Sequence, residues 1–241
     1  MTKNFNLEKL NVKIYADGAD LKNITQLNKY KFIEGFTTNP SLIKQSGYKN
    51  YMDYAKALLK IVKKKPVSLE IFSNNYQQMI DDSLKLSRLG KNVFVKIPVV
   101  NTNGRQTINL IDQLNQKGIK LNITAIFTIQ QVKTIIKKIK KPKNIILSVF
   151  AGRIADTGRN PKIVMRQIKK MCKQNYHILW ASTREIYSIY DANDCKSDII
   201  TVPHSILKKI NLIGKSLEKY SIETVKTFYE DAKSKGYSLN E

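Results

Sequence analysis

The sequence predicts an α/β protein built as a single (β/α)8 barrel, because short apolar runs and amphipathic helical stretches alternate along the chain. Helical patterns lie between the apolar runs, at residues 51–63, 76–88, 104–116, 129–138 and 161–173. The eight predicted strands are VKIYAD (12–17), FIEGFTT (32–38), VSLEIF (67–72), VFVKIPV (93–99), LNITAIF (121–127), IILSVF (145–150), HILWAS (177–182) and DIITVP (198–203). Eight parallel strands joined by right-handed helical crossovers can close into a barrel.

A doubly wound open sheet is the alternative arrangement for the same alternation. It would carry a glycine-rich phosphate turn after the first strand, but residues 17–20 read DGAD and match neither GxGxxG nor a P-loop. The length of 241 residues suits one barrel, and no Gly/Ser-rich linker or internal repeat is visible. We therefore expect one domain over residues 1–241, with an extra C-terminal helix over about residues 213–235.

Composition indicates an ordinary globular protein, with 42% hydrophobic and 25% charged residues. No apolar run approaches the roughly 20 residues that span a bilayer, and the start, MTKNFNLEKLN, lacks the apolar stretch of a signal peptide. We expect a cytoplasmic protein without a membrane partner. Cys172 and Cys195 lack metal-ligand spacing and are expected to be structural thiols.

The formal charge of +23 raises the possibility of a nucleic-acid partner. Only six arginines are present, however, and the lysines are spread over helical faces. The densest run, KTIIKKIKKPK at 133–143, has the pattern of a helix with one solvated and one buried face. We expect no nucleic-acid partner, and a non-enzymatic basic binding protein is the remote alternative.

Polar residues occupy predicted strands that packing alone would make apolar. In VFVKIPV, alternation places Lys96 on one face with Phe94 and Pro98. The same alternation groups Ser68, Glu70 and Phe72; Asn122, Thr124 and Ile126; Ser148 and Phe150; and Trp180 and Ser182. If these faces and Asp17 point into the barrel, one cavity gathers an amine, two carboxylates, an amide, hydroxyls and an aromatic ring. A structural ion pair between Lys96 and Glu70 is the alternative interpretation.

Seven segments, in their order and spacing, resemble the transaldolase family over roughly residues 12–235. They are YADGAD, GFTTNPSLI, VSLEIF, VFVKIPV, NITAIFT, SVFAGRIAD and WASTRE. TTNPS and VKIP together are specific, whereas either alone is weak. The family includes a close relative, fructose-6-phosphate aldolase, which shares the fold and the lysine but releases dihydroxyacetone.

The resemblance implies roles for individual residues. Lys96 is the expected Schiff-base lysine, and Asp17 the general base and then acid at the carbon-four hydroxyl of the substrate. The resemblance also implies that Glu70 and Thr124 hold a catalytic water. The expected substrate-binding residues are Asn39, Asn122, Ser148 and Phe150, with Ser182, Arg184 and Arg153 at the substrate phosphate. Thr37 and Thr38 are expected to be structural.

The implied activity is that of a transferase of the pentose phosphate pathway. It would move a dihydroxyacetone unit from fructose 6-phosphate or sedoheptulose 7-phosphate to an aldose phosphate, without a metal or organic cofactor. Glu70 and Phe150 stand where the aldolase branch tends to carry glutamine and tyrosine, which favours transaldolase. An aldolase-like enzyme and a homologue with a specialised sugar substrate are the alternatives, because the NTNGR turn and Arg159 depart from the usual loops.

The C-terminal segment has an apolar stripe at helical spacing, formed by Ile222, Val225, Phe228 and Tyr229. Such a stripe either caps the barrel of its own chain or binds another subunit. A homo-oligomer assembled through this helix is therefore one possible outcome.

Overall fold

The structure is a computed structural model that describes residue 7 and residues 10–172 and 175–238. Its centre is a closed barrel of parallel strands in the order β1 to β8, which confirms the predicted (β/α)8 fold. The strands are β1 Lys13–Asp17, β2 Ile33–Thr37, β3 Val67–Glu70, β4 Val93–Pro98, β5 Leu121–Ile126, β6 Ile145–Val149, β7 Tyr176–Trp180 and β8 Ile199–Pro203. Each lies within its predicted run, except that β7 begins one residue earlier, at Tyr176.

Helices follow the strands on the outside of the barrel. They are α1 Leu21–Leu27, α2 Pro40–Gln45, α3 Tyr51–Ile61, α4 Tyr76–Ser87, α5 Ile108–Gln116, α6 Ile129–Lys138, α7 Ala151–Asp156, α8 Pro161–Met171, α9 Ser188–Asp194, α10 His204–Leu207 and α11 Leu217–Ser234, with a 3-10 helix at Lys208–Leu212. The helix expected over 104–116 begins only at Ile108, because Gly104 has a φ of 74° and belongs to a turn. The helix expected over 161–173 ends at Met171, and residue 173 lies outside the described residues.

Side-chain caps explain where several of these helices begin. Asp20, Asn39, Asn50 and Ser216 each stand before a helix and accept a hydrogen bond from a backbone N–H of its first turn. Thr128 and Gln131 form a capping box at the start of α6. The C-terminal helix was expected from about residue 213. Gly214 has a φ of 77°, which is incompatible with a right-handed helix, and α11 starts after the cap at Ser216.

Alternation along the strands separates two apolar clusters. The larger one packs the strands against the helices. The smaller one joins Tyr15, Phe94, Ile146, Leu179, Ala181 and Ile199, with Phe150 packed against it. These side chains come from strands on different sides of the barrel, so they meet in its interior and close its amino-terminal half. The carboxyl-terminal half is left for polar side chains, which is where barrel enzymes place their sites.

Two predicted strand faces are wrong. Trp180 belongs to the larger cluster, between the strands and the helices. Its neighbours Leu179 and Ala181 belong to the smaller cluster and point into the barrel instead. Ile126 also lies in the larger cluster, apart from Asn122 and Thr124, because the register shifts between Ile123 and Ile126. Phe72 follows the end of β3 and is exposed.

One close backbone approach joins the loop after β7 to the start of α7. The Gly152 N–H donates to the Ala181 carbonyl at 3.2 Å. A Cβ at position 152 would lie 1.6 Å from the Ser182 carbonyl oxygen, so only glycine fits there. Ser182 itself has a φ of 62°, a backbone conformation that residues other than glycine rarely adopt. Gly152 therefore fixes the backbone on which Ser182 and Arg184 are presented.

The C-terminal helix α11 does not bury its apolar stripe against the barrel. None of its residues is buried, and Ile222, Val225, Phe228 and Tyr229 are between 56% and 67% exposed. Capping of the barrel of the same chain, one of the two expectations for this stripe, is therefore not what the structure has. Among the described residues, none of the helices combines the length and apolar character needed to cross a membrane.

Candidate active site

Lys96 lies in the middle of the barrel, on β4, and is only 7% exposed. Its Nζ is 3.0 Å from Glu70 Oε2 and donates to the Thr38 carbonyl oxygen at 3.0 Å. Strand register explains this arrangement, since Lys96 pairs with Glu70 on β3 and with Asn122 on β5. The structure thus brings three of the predicted site residues to one level of the barrel.

Asn122 is held by hydrogen bonds from both sides. Its Nδ2 donates to Ser68 Oγ at 2.9 Å, and Ser148 Oγ donates to its Oδ1 at 2.7 Å. All three side chains are buried. These two hydrogen bonds link side chains of β3, β5 and β6, so they fix the orientation of the Asn122 amide beside Lys96.

Thr124 lies two residues beyond Asn122 on β5, opposite Pro98 of β4. It is 1% exposed, and its Oγ1 has no hydrogen-bond partner among the described residues. A buried hydroxyl without a protein partner is costly unless it serves a ligand or water. This position is compatible with the water-holding role implied for Thr124, which stays a prediction.

Asp17 ends β1 and pairs in register with Thr37 of β2. Thr37 Oγ1 donates to Asp17 Oδ1 at 2.7 Å. Burial raises the pKa of Asp17, while the charge of Lys96 and the hydrogen bond from Thr37 act in the opposite direction. Asp17 therefore keeps its proton to a higher pH than an exposed aspartate, which suits a group that exchanges a proton with substrate.

Two threonines of this region were not predicted to take part in the site. Thr37 Oγ1 is 2.5 Å from Thr201 Oγ1, and both residues are buried. Thr37 was expected to be structural, and Thr201 was not singled out. The signal that could have found them is the alternation used for Lys96, because Thr37 in IEGFT and Thr201 in IITVP are hydroxyl groups near the ends of β2 and β8. Thr38, also expected to be structural, contributes its carbonyl oxygen to Lys96.

Asn39 begins α2 and is partly buried. Its Oδ1 accepts a hydrogen bond from Leu42 N at 3.0 Å as the helix cap. The amide nitrogen of Asn39 makes no hydrogen bond within the described chain and can still donate to a ligand. The expected contact with substrate hydroxyls stays a prediction.

The three residues expected at the phosphate lie after β6 and β7. Arg184 is half-exposed, and its Nε donates to both carboxylate oxygens of Asp156, at 3.2 and 3.1 Å. One of its terminal nitrogens also pairs with Asp156 Oδ2. Ser182 is partly buried beside Gly152. Arg184 therefore has a fixed orientation, with part of its guanidinium already paired.

Phe150 forms an aromatic wall near these groups. Its ring centroid is 5.5 Å from that of Phe127, and the Arg153 guanidinium carbon is 5.3 Å from the Phe150 ring centroid. Arg153 itself is exposed. Stacking on Phe150 holds the Arg153 guanidinium at the end of β6.

The described residues hold no group of three or more His, Cys, Asp or Glu side chains that could bind a metal ion. The barrel instead brings together the amine of Lys96, the carboxylates of Asp17 and Glu70 and several buried hydroxyls, which are groups that can act as a nucleophile and as proton acceptors. A (β/α)8 barrel with such groups at the carboxyl ends of its strands belongs to the class of barrel enzymes.

Comparison with known proteins is consistent with this class. Residues 14–241 match the family described as "Transaldolase/Fructose-6-phosphate aldolase". A probable transaldolase of Sulfurihydrogenibium sp. (strain YO3AOP1) is 34% identical over 203 residues, covering 83% of this chain and 88% of the relative. A probable transaldolase of Brucella ovis is 32% identical over 223 residues, covering 90% and 98%. The chain belongs to the transaldolase/fructose-6-phosphate aldolase family.

Solved structures share the fold at low sequence identity. The 3-hexulose-6-phosphate synthase of Salmonella typhimurium superposes with a TM-score of 0.59 at 13% identity, covering 82% of this chain and 91% of that one. Orotidine 5'-monophosphate decarboxylase of Sulfolobus solfataricus gives 0.55 at 13%, covering 86% and 98%. At this identity the likeness shows the barrel alone.

The Lys96–Glu70 contact predicts a strong energetic coupling. Glu70→Leu leaves a buried ammonium without its carboxylate and is expected to lower the free energy of unfolding by about 3–5 kcal/mol. Lys96→Met/Glu70→Leu removes both charges and is expected to recover much of that loss. Urea unfolding of the single and double variants measures the coupling.

The pair between the exposed Lys85 and the partly buried Asp82, 3.8 Å apart on the surface of α4, is the control. Asp82→Ala is expected to change the free energy of unfolding by about 1 kcal/mol or less. A cost for Glu70→Leu no greater than that of Asp82→Ala would contradict the buried coupling.

Proposed function

We propose that the protein is a transaldolase that transfers a dihydroxyacetone unit from fructose 6-phosphate or sedoheptulose 7-phosphate to an aldose phosphate through a Schiff base on Lys96. The observation that carries the proposal is the buried Lys96 amine, 3.0 Å from the Glu70 carboxylate and next to the fixed Asn122 amide. Membership of the family and the names of the relatives support it. We place the reaction in the pentose phosphate pathway, in the cytoplasm.

The first stage is formation of the imine. Glu70 is close enough to take a proton from Lys96, which frees the amine to attack the carbonyl carbon of the ketose. A carbon–nitrogen bond forms, and the former carbonyl oxygen is protonated and leaves as water. Thr124 has the buried, unpaired hydroxyl that the transfer of these protons needs, and a water held between Thr124 and Glu70 would carry them.

The second stage is cleavage of the sugar. Asp17 takes the proton of the carbon-four hydroxyl while the bond between carbons three and four breaks, and its electrons pass into the iminium. The aldose phosphate leaves, and the three-carbon enamine stays on Lys96. In the reverse sense the enamine attacks the acceptor aldehyde, and Asp17 returns its proton to the new hydroxyl.

Substrate orientation falls to the remaining groups of the site. Asn122 and Ser148, joined by a hydrogen bond, and Asn39 would bind the ketol hydroxyls. Ser182, Arg184 and Arg153 would bind the phosphate, for which the planar guanidinium is suited. Because Asp156 already pairs with two nitrogens of Arg184, the third nitrogen has no carboxylate contact among the described residues and would be available to the phosphate.

Trapping of the imine tests the proposal. Incubation with fructose 6-phosphate and borohydride is expected to leave a reduced three-carbon adduct on Lys96, detected by peptide mass spectrometry. Lys96→Met should form no adduct and lose transfer activity by about a thousandfold or more, since a catalytic nucleophile has been removed.

The matched control is Lys91→Met, which removes an exposed lysine from the turn before β4. It is expected to keep both adduct and activity. A wild-type protein that binds fructose 6-phosphate but gives no Lys96 adduct overturns the Schiff-base mechanism.

The choice between transaldolase and the aldolase-like alternative depends on Phe150. Its ring packs against Phe127 and offers no hydroxyl near the intermediate, so the enamine is expected to wait for an acceptor rather than to be released. Phe150→Tyr should raise the rate of dihydroxyacetone release relative to transfer to erythrose 4-phosphate. Coupled assays of both products measure the ratio.

Phe127→Tyr is the control, because it adds the same hydroxyl to the neighbouring ring; its product ratio is expected to match that of the wild type. If the wild type releases dihydroxyacetone without an acceptor as fast as it transfers the unit to erythrose 4-phosphate, the aldolase is favoured. If the protein turns over neither fructose 6-phosphate nor erythrose 4-phosphate but still forms the imine with another ketose, the specialised homologue is favoured.

We also infer that the chain assembles with copies of itself through α11. The helix is 18 residues long and buries none of its side chains, while Leu217, Ile222, Val225 and Phe228 are at least 56% exposed. An exposed apolar surface of this kind marks a protein interface. A second copy of the same chain is the simplest occupant, since closed symmetric homo-oligomers are the commonest assemblies.

The double variant Val225→Asp/Phe228→Asp is expected to reduce the molar mass in light scattering to that of one chain. Glu230→Lys changes the charge of the same helix on the side away from the apolar stripe and should keep the wild-type mass. A wild-type protein with the mass of a single chain at micromolar concentration overturns the inference.

A further inference from the structure

Asp17 is the end of a short line of hydroxyl groups inside the barrel. Thr37 Oγ1 lies 2.7 Å from Asp17 Oδ1 and 2.5 Å from Thr201 Oγ1. Thr37 and Thr201 are 2% and 5% exposed. Because β2 and β8 flank β1 in the barrel, the two threonines approach Asp17 from its two neighbouring strands.

The number of hydrogens fixes the direction of this line. A hydroxyl carries one hydrogen, and an ionised carboxylate carries none. Thr37 therefore gives its hydrogen to Asp17, and the hydrogen in the second contact has to come from Thr201. The hydrogen bonds run from Thr201 to Thr37 and from Thr37 to Asp17 Oδ1.

The far end of the line is anchored as well. Thr183 Oγ1 donates to the Thr201 carbonyl oxygen at 2.7 Å, and Thr183 is also buried. This bond reaches the backbone of Thr201, so it leaves the Thr201 hydroxyl free to serve Thr37. Thr183 follows Ser182 directly, which ties the loop after β7 to β8.

The carboxylate of Asp17 is thereby divided into two different oxygens. Oδ1 accepts from Thr37, whereas Oδ2 receives no hydrogen bond from the described residues. Oδ2 is the oxygen that can take a proton from substrate. When it does so, Oδ1 remains the carbonyl oxygen of the neutral acid and still accepts from Thr37, so the orientation lasts through both protonation states.

We propose that Thr37 and Thr201 are positioning residues of the reaction, which hold Asp17 so that Oδ2 alone exchanges the proton with the sugar. The proposal rests on the proposed function, because it assigns the roles of the two oxygens in that proton transfer. Thr201 acts only through Thr37, and neither threonine needs to touch the substrate.

Other ionisable groups face Asp17 from the surrounding elements and stay unchanged in the test. Lys96 on β4 favours the ionised carboxylate, and Tyr54 on α3 interacts with Asp17 electrostatically. Glu70 is paired with Lys96, and His204 at the start of α10 lines a cavity of about 330 Å³ together with Asp17. A shift caused by a threonine variant is therefore measured with the same neighbouring ionisable groups in the variant and in the wild type.

The experiment compares the acid limb of kcat/KM in threonine variants. Thr37→Val removes the hydrogen bond that favours the ionised form, so the pKa of Asp17 rises further and the base is lost earlier on acidification. The acid limb is expected to move up by about one pH unit, and Thr37→Ser should return it to its original position. Thr201→Val is expected to move the limb in the same direction by less, because Thr37 can still donate to Asp17.

The double variant Thr37→Val/Thr201→Val should match Thr37→Val alone, since Thr201 has no other route to Asp17. Ser83→Ala removes a buried hydroxyl on α4, which donates to the Met79 carbonyl oxygen and has no contact with the line, so its acid limb should stay where the wild type has it. Additive shifts in the double variant, or an unmoved limb in Thr37→Val with the wild-type fold, overturn the proposal.

A second measurement separates this proposal from the proposed function. Carboxyl ¹³C NMR follows the titration of Asp17 without any substrate, and Thr37→Val should raise its midpoint by the same amount as the acid limb. If the wild type shows no transferase activity but Thr37→Val still raises the titration midpoint of Asp17, only the proposed function is refuted. An Asp17 midpoint that does not move in Thr37→Val refutes the role of the threonines, whatever the activity.

Discussion

The ion pair between Lys96 and Glu70 is the interaction on which the rest of the site depends. An ammonium group inside a barrel is unfavourable unless a charge and further hydrogen-bond acceptors satisfy it. Glu70 supplies the charge and the Thr38 backbone supplies a carbonyl oxygen. Glu70 ends β3 and Thr38 directly follows β2, both on one side of β4, and the Thr38 backbone is tied to β3 through the Ser68 carbonyl, so the sheet directs the amine.

The interior of the barrel has an apolar half and a polar half. Its amino-terminal half is filled by Tyr15, Phe94, Ile146, Leu179 and Ile199, which bury apolar surface against one another. A Cβ on Gly35 would lie 2.6 Å from the Tyr15 ring, so β2 makes room for this ring by carrying glycine. The carboxyl-terminal half can then hold buried hydroxyl and amide groups. Asn122, Ser148 and Thr37 are hydrogen-bonded to groups on neighbouring strands, whereas Thr124 has no partner among the described residues.

The residues within strands were predictable from the sequence because alternation is a local property. The alternation of short apolar runs with helical patterns predicted the fold class. Polar residues at period two within those runs predicted the shared face, and the structure places Lys96 beside Glu70 and Asn122. Thr37 and Thr201 carry the same signal and could have been found by extending it to β2 and β8. Trp180 and Ile126 were placed on the wrong face, since the phase of β7 and the left-handed Ala125 (φ 57°) depend on contacts with neighbouring strands. The pairing of Arg184 with Asp156 joins the loop after β7 to the end of α7, and no periodicity encodes it.

The distribution of lysines has a practical consequence for the chemistry of the surface. The protein carries 42 lysines and arginines, yet Lys96 is the lysine that the described part of the chain buries. Amine-reactive resins and polymers are too large to enter the barrel, so they couple to the helices and leave the interior amine untouched. The molecule can therefore be attached densely to a solid support through its exposed lysines while the buried amine of Lys96 stays free.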